Sequence, residues 1–258
     1  MVRGLYTAYT GMINEQNRMD TLSNNLANVT TVGFKKEGTT SQAFDEVLTL
    51  KIKDSTVGYN LVQPVGTDSR GVKLGENYVD WSQGSFRITN NTFDLALGGS
   101  GFFALEYTNK AGDTSTMYTR AGNFTLNKEG YLVNSNGDYV LDVNSKRIKI
   151  DPTQDAAVDR QGRITQNNQV VAQIQIADFE DYDYLQKYGE TFYYPLEGAT
   201  FSQADGEIYS GYLEASNVST VQEMVNLIAI SRQYESNQKI IQTIDNTLEV
   251  AVTQIGRV

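Results

Sequence analysis

The stretch Ser219–Val258 reads STVQEMVNLIAISRQYESNQKIIQTIDNTLEVAVTQIGRV. Leu227, Tyr234, Ile241, Leu248 and Ile255 hold one heptad position in it, and Ile230, Ile244 and Ala251 hold the companion position. It contains no proline, and its single glycine, Gly256, lies at the very end. Ser219 with Gln222 and Thr220 with Glu223 stand at capping-box spacing. Together these features predict one helix of about 36 residues, roughly 54 Å long. A helix of that length without an internal stop reads as a coiled-coil strand. Asn237 interrupts the companion row, where a polar residue either fixes register or faces solvent.

The opposite end of the chain carries a matching pattern. Leu5, Met12, Met19 and Leu26 share one heptad position, with Ala8 and Leu22 between them. This predicts a helix of about 24 residues. Gly11, inside it, costs about 1 kcal/mol relative to Ala and reads as tolerated surface in preference to a close backbone approach. The periodicity stops at Asn28, before the poor helix formers Thr30, Thr31 and Val32 and the stop at Gly33. Apolar seams of this length exceed what a short β domain can cover. The two ends are therefore expected to pair with each other or with other copies of the chain, and to gain order on polymerisation.

Between the ends the pattern changes. All the glycines except Gly4, Gly11 and Gly256 lie from Gly33 to Gly211, together with Pro64, Pro152 and Pro195, so turns are confined to the middle. Phe93, Leu95 and Leu97 alternate before Gly98, Gly99 and Gly101, and Phe102 and Phe103 open a further strand. Glu129-Gly130 and Asn136-Gly137 mark two successive hairpins, flanked by Phe124, Leu126, Tyr131 and Val133. Val170, Ala172, Ile174 and Ile176 form the cleanest alternation. The expected class is α+β, with paired N- and C-terminal coiled-coil helices flanking an all-β centre. The divisions are an N-terminal axial helix at 1–32, an extended connector at 33–80 with one short helix near Phe44, Val47 and Leu48, a β domain at 81–210, and a C-terminal axial helix at 211–258.

Composition narrows the chemistry. The chain has 258 residues, and 21 basic against 31 acidic side chains leave a formal charge of −10 without a basic run, which disfavours nucleic acid and anionic lipid as partners. Cysteine and histidine are both absent, so thiol nucleophiles, imidazole bases and the usual zinc ligands are missing. No catalytic, metal or cofactor residue is assigned. No apolar run suits a signal-peptide core or a membrane span.

The segment SNNLANVTTVGFKK, Ser23–Lys36, resembles the N-terminal signature of the bacterial flagellar rod and hook proteins. Their C-terminal signature is similar to GYLEASNVSTVQEMVNLIAISRQYESNQKIIQTIDNTLE, Gly211–Glu249. DLALGGSGFFAL from Asp94, YTRAGNFTLNKEGYLVNSNGDYVL from Tyr118 and QIQIADFED from Gln173 are similar to the shared β domain. The motifs fall in the family's order along most of the chain, and length favours rod over hook. The connector from Val47 to Tyr78 does not clearly match the longer insertion typical of distal rod subunits.

The resemblance implies a structural subunit of the basal-body rod, built into a hollow axial tube that transmits torque and lying outside the cytoplasmic membrane. Implied partners are copies of itself, other rod and hook proteins, and the flagellar export apparatus, with export proceeding without a cleaved signal. Asn24, Asn25, Asn28, Gly33 and Phe34 match the first signature, and Leu213, Asn217, Val218, Glu223, Met224 and Tyr234 match the second. At Asn28 and Gly33 the physical reason would be left-handed backbone where the chain reverses at a helix end.

Two rivals come from another class. A carboxylate glycosidase would need two carboxyls set across a cleft, which the adjacent Glu180 and Asp181 do not supply; a solvated turn is the simpler reading. A Tyr-rich carbohydrate-binding β module would have no use for heptad helices at both ends.

Overall fold

The computed structural model describes residues 2–52, 62–109, 112–202 and 204–255. The first heptad run is helix α1, Val2–Ala27, and the second is α2, Thr220–Val250, whose final turn, Ala251–Ile255, winds as a π-helix. The chain between them is mostly β. Contacts divide it into two units, one holding both helices with residues 37–80, the other holding 27–36 and 81–219.

In the helical unit, residues expected to be an extended connector are paired strands. β1 (Glu37–Ala43) and β4 (Val72–Val79) form one antiparallel ribbon, β2 (Val47–Ile52) and β3 (Val62–Asp68) another, and Phe44 lies between strands with no helix there. The reason is local. Thr or Val occurs in each of the four segments, and each backbone N–H and C=O needs a partner that an extended connector would leave to water. Gly38 and Gly75 sit where a Cβ would collide with Tyr78 and with Thr40 across the ribbon. The ribbon docks on α1 through polar side chains. Asn14 Nδ2 donates to Ser41 Oγ (2.9 Å), and the Val72 N–H reaches Thr10 Oγ1 (3.4 Å).

The two helices approach closely at the N-terminal half of α1. A Cβ on Gly4 would lie 3.6 Å from Ile244 Cδ1, and one on Gly11 would lie 3.0 Å from Asn237 Nδ2. Gly11 is therefore a contact point, contrary to the reading as tolerated surface. Asn237 faces it, half-buried.

The second unit is built on β5 (Phe102–Thr108). β6 (Thr114–Thr119) pairs along one edge of it, while Ile176–Phe179 and Tyr139–Val140 pair with successive parts of the other, all antiparallel. The run Phe102-Phe103-Ala104-Leu105 is wholly buried because both faces of β5 are covered. Phe103 and Leu105 join Leu95, Leu97, Phe124, Leu132, Ile148 and Ile150 in one core. Phe102 and Ala104 join Tyr118, Phe179, Leu185 and Tyr193 in a second, with Trp81 against it. The hairpins at Gly130 and Gly137 form as the sequence predicts, Thr125–Leu126 pairing with Leu132–Val133, which pairs in turn with Tyr139–Val140. The cleanest alternation is poorly buried, since Val170 stays exposed and only Ile174 of its four apolar residues is fully covered.

Candidate assembly site

The residues expected to form the seam are mostly partly covered. Leu5, Met12, Met19, Leu22 and Leu26 of α1 and Leu227, Tyr234, Ile241 and Ile244 of α2 are half-buried. Ala8 and Ile230 are buried outright. Leu248 is 39% exposed, and the Ile255 side chain lies outside the described residues.

A second apolar stripe was not anticipated. Val221, Met224, Val225 and Ile228 stand one and two turns apart on α2, and all four are exposed, Val221 to 74%. Tyr6, Tyr9 and Ile13 make a similar exposed row on α1. Their spacing of three and four was legible in the sequence, but the heptad positions between them drew the reading away.

The motif residues separate by role. Asn25 is fully buried and pairs with Glu37 as a strand neighbour would, Nδ2 donating to the Glu37 carbonyl (2.7 Å) and Oδ1 accepting its N–H (3.0 Å). Asn24 is exposed. Gly33 has φ +68°, whereas Asn28 is absent from the described non-glycine residues with positive φ. Asn28 serves the reversal differently, its carbonyl accepting the Thr31 N–H and its Oδ1 the Thr31 hydroxyl. Phe34 is wholly buried, with Lys187 Nζ 4.1 Å from its ring centroid. In the second signature, Leu213, Val218 and Glu223 are buried while Met224 is exposed. Asn217 joins segments, accepting the Lys36 N–H on Oδ1 (2.8 Å) and donating from Nδ2 to Ser82.

Sequence reasoning missed the charges beside these motifs. Lys35, Glu214 and Arg120, all in the β unit, are buried to within a few per cent. Lys35 Nζ donates to Glu214 Oε1 (2.7 Å) and to the Ser82 carbonyl (2.9 Å). Arg120 Nη1 lies 3.6 Å from Glu214 Oε2, and its guanidinium caps the Leu97 and Gly99 carbonyls. Lys35 stands near the end of one quoted motif and Glu214 near the start of another, but nothing in either motif reveals a partner 179 positions away.

The acidic pair of the glycosidase reading is occupied locally. Glu180 Oε2 accepts the Thr200 hydroxyl, and Asp181 caps the short 3₁₀ turn Tyr182–Tyr184 by accepting the Asp183 N–H. No group of three or more acidic residues could hold a metal ion among the described residues. No described helix is long and apolar enough to cross a membrane.

Helices with exposed apolar rows towards both ends of the chain, and buried charges that hold chain segments together, define a structural subunit. The comparisons with known proteins give that class its family. Residues 5–35 match the flagella basal body rod protein model, 96–166 the flagellar hook protein FlgE/F/G D1 domain, and 209–254 the flagellar basal body rod FlgEFG protein C-terminal model. The chain is 36% identical to the flagellar basal-body rod protein FlgG of Bacillus subtilis (strain 168), with 98% of each chain covered. It is 34% identical to the protein of the same name from Caulobacter vibrioides, over 96% of this chain and 97% of that one. It is 32% identical to flagellar basal-body rod protein FlgF from the same organism, over the full length of both. The chain belongs to the flagellar basal-body rod protein family and is a structural subunit of that rod.

Proposed function

We propose that the subunit polymerises with copies of itself through its terminal helices, α1 and α2 pairing as a coiled coil that lines a hollow axial tube. The observation that carries this reading is the exposed apolar row Val221, Met224, Val225 and Ile228. It remains uncovered although Ile230, on the same helix, is buried, so α2 has more apolar surface than one chain covers. The close approaches of Gly4 to Ile244 and of Gly11 to Asn237 support the pairing, with Asn237 setting register. The tube transmits torque, meets other rod and hook proteins at its ends, and is assembled outside the cytoplasmic membrane from subunits passed through the flagellar export apparatus without cleavage of a signal. The divisions are an axial helix at each end, with the paired strands between α1 and the β domain filling the place of a connector.

The test is polymerisation of the purified protein, followed by sedimentation and electron microscopy, beside a form lacking Leu227–Val258. Tubes from the full chain and none from the truncated form are expected. Equal assembly of both, or motility restored by the truncated form, would refute the proposal.

A further inference from the structure

Three segments far apart in the sequence meet around Glu214 inside the β unit. The first, 27–36, is the chain leaving α1; the second is the strap Ser82–Phe86; the third, 213–219, is the chain entering α2. Glu214 touches the other two. Its carbonyl accepts the Gly33 N–H (2.9 Å), and its Oε1 accepts both Lys35 Nζ (2.7 Å) and the Gly84 N–H (3.0 Å). The Ala215 N–H completes the crossing on the Ser85 carbonyl (2.9 Å), and the Lys36 N–H on Asn217 Oδ1 (2.8 Å).

The crossing leaves no room to slide. A Cβ on Gly84 would fall 1.8 Å from the Ala215 carbonyl oxygen, and one on Gly33 would fall 2.4 Å from the Ala121 nitrogen. Two cations and one carboxylate are buried here, and a buried charge stripped of its counter-charge is strongly destabilising. The segments cannot part without exposing or orphaning charge.

We infer that the Lys35–Glu214–Arg120 cluster is a clasp that locks the root of α1 against the root of α2 within a single copy, before any neighbouring copy is present. The helices then start side by side, whatever the order of the helices themselves in the isolated chain. This extends the assembly reading, and depends on it only for the consequence that polymers form from subunits with pre-set roots. Glu214 acts here as a positioning residue, through the backbone and the lysine that it holds.

Hydrogen exchange on the dilute full-length protein tests the clasp without assembly. The reporters are the amides of Gly33, Lys36, Gly84 and Ala215, compared with those of Leu105 and Met117 in the sheet. In the wild type all six should be protected. Glu214→Gln should cut protection at the four root amides by about a hundredfold while leaving Leu105 and Met117 unchanged. Should that variant fail to fold, Lys35→Met, which leaves Glu214 beside Arg120, should lower Gly33 and Gly84 by about tenfold. Root amides that exchange freely in the wild type, or that ignore both substitutions, would overturn the inference. Sedimentation of the same samples at high concentration separates the two readings. Protected root amides in a wild type that never polymerises would refute assembly and leave the clasp standing, whereas polymer with unprotected roots would do the reverse.

Discussion

Gly33→Ala isolates the part of the first signature that geometry alone explains. At φ +68° an alanine pays the left-handed penalty of about 1–2 kcal/mol. Its Cβ would also lie 2.4 Å from the Ala121 nitrogen and the Arg120 carbonyl carbon, both backbone atoms that cannot swing aside. Forcing atoms into such a site costs about 1–3 kcal/mol more. The sum is about 2–5 kcal/mol, and for a unit of about 150 residues a middle value of about 3.5 kcal/mol lowers Tm by about 7–14 °C. Gly137→Ala is the control, because Gly137 has φ +94° but nothing within 4 Å of a would-be Cβ, so only the conformational part applies. Thermal and urea denaturation followed by circular dichroism would compare the two. Equal losses would show that close approach to the 120–121 backbone contributes nothing, and the argument for Gly33 would fail.

Phe103→Ala should destabilise the β unit by about 3–5 kcal/mol, since the ring is wholly buried on β5 and meets Phe124 edge-on; a loss under about 1 kcal/mol in urea would contradict that packing. Burial, followed by donation to Asp178 Oδ1, pushes the Tyr182 hydroxyl up to about 12. The native state therefore holds this proton more tightly than the unfolded chain, whose tyrosines titrate near pH 10. Its contribution is complete below about pH 10 and is lost as pH rises towards 12, so Tyr182→Phe should flatten the fall of stability across that window, and an unchanged slope in urea titrations would count against it. Ile241→Asp should abolish sedimentable polymer while the β unit keeps its melting transition, because Ile241 belongs to the helical unit; normal tubes from this variant would exclude it from the interface.

The α+β class was legible in the sequence because a period of seven without proline and a glycine-punctuated period of two are local properties. Leu227, Tyr234 and Ile241 needed no partner to reveal a helix, and Asn136-Gly137 needed none to reveal a turn. The strands of 37–80 were less legible, since their apolar residues do not alternate cleanly and the ribbons are held by backbone pairing that any sequence can supply. The role of Gly11 also escaped a local reading, because what a missing side chain admits depends on the Asn237 opposite it.

The sequence by itself determined two heptad helices, a turn-rich β middle and the absence of imidazole and thiol chemistry, all of which follow from residue type and spacing along one chain. Only the tertiary structure decided that Lys35, Arg120 and Glu214 share one buried site. A lysine or glutamate within a motif looks like solvated surface until the chain closes around it, and ion pairing across 179 positions leaves no periodic trace. The same holds for the exposed row on α2, whose meaning depends on which face the rest of the chain leaves uncovered.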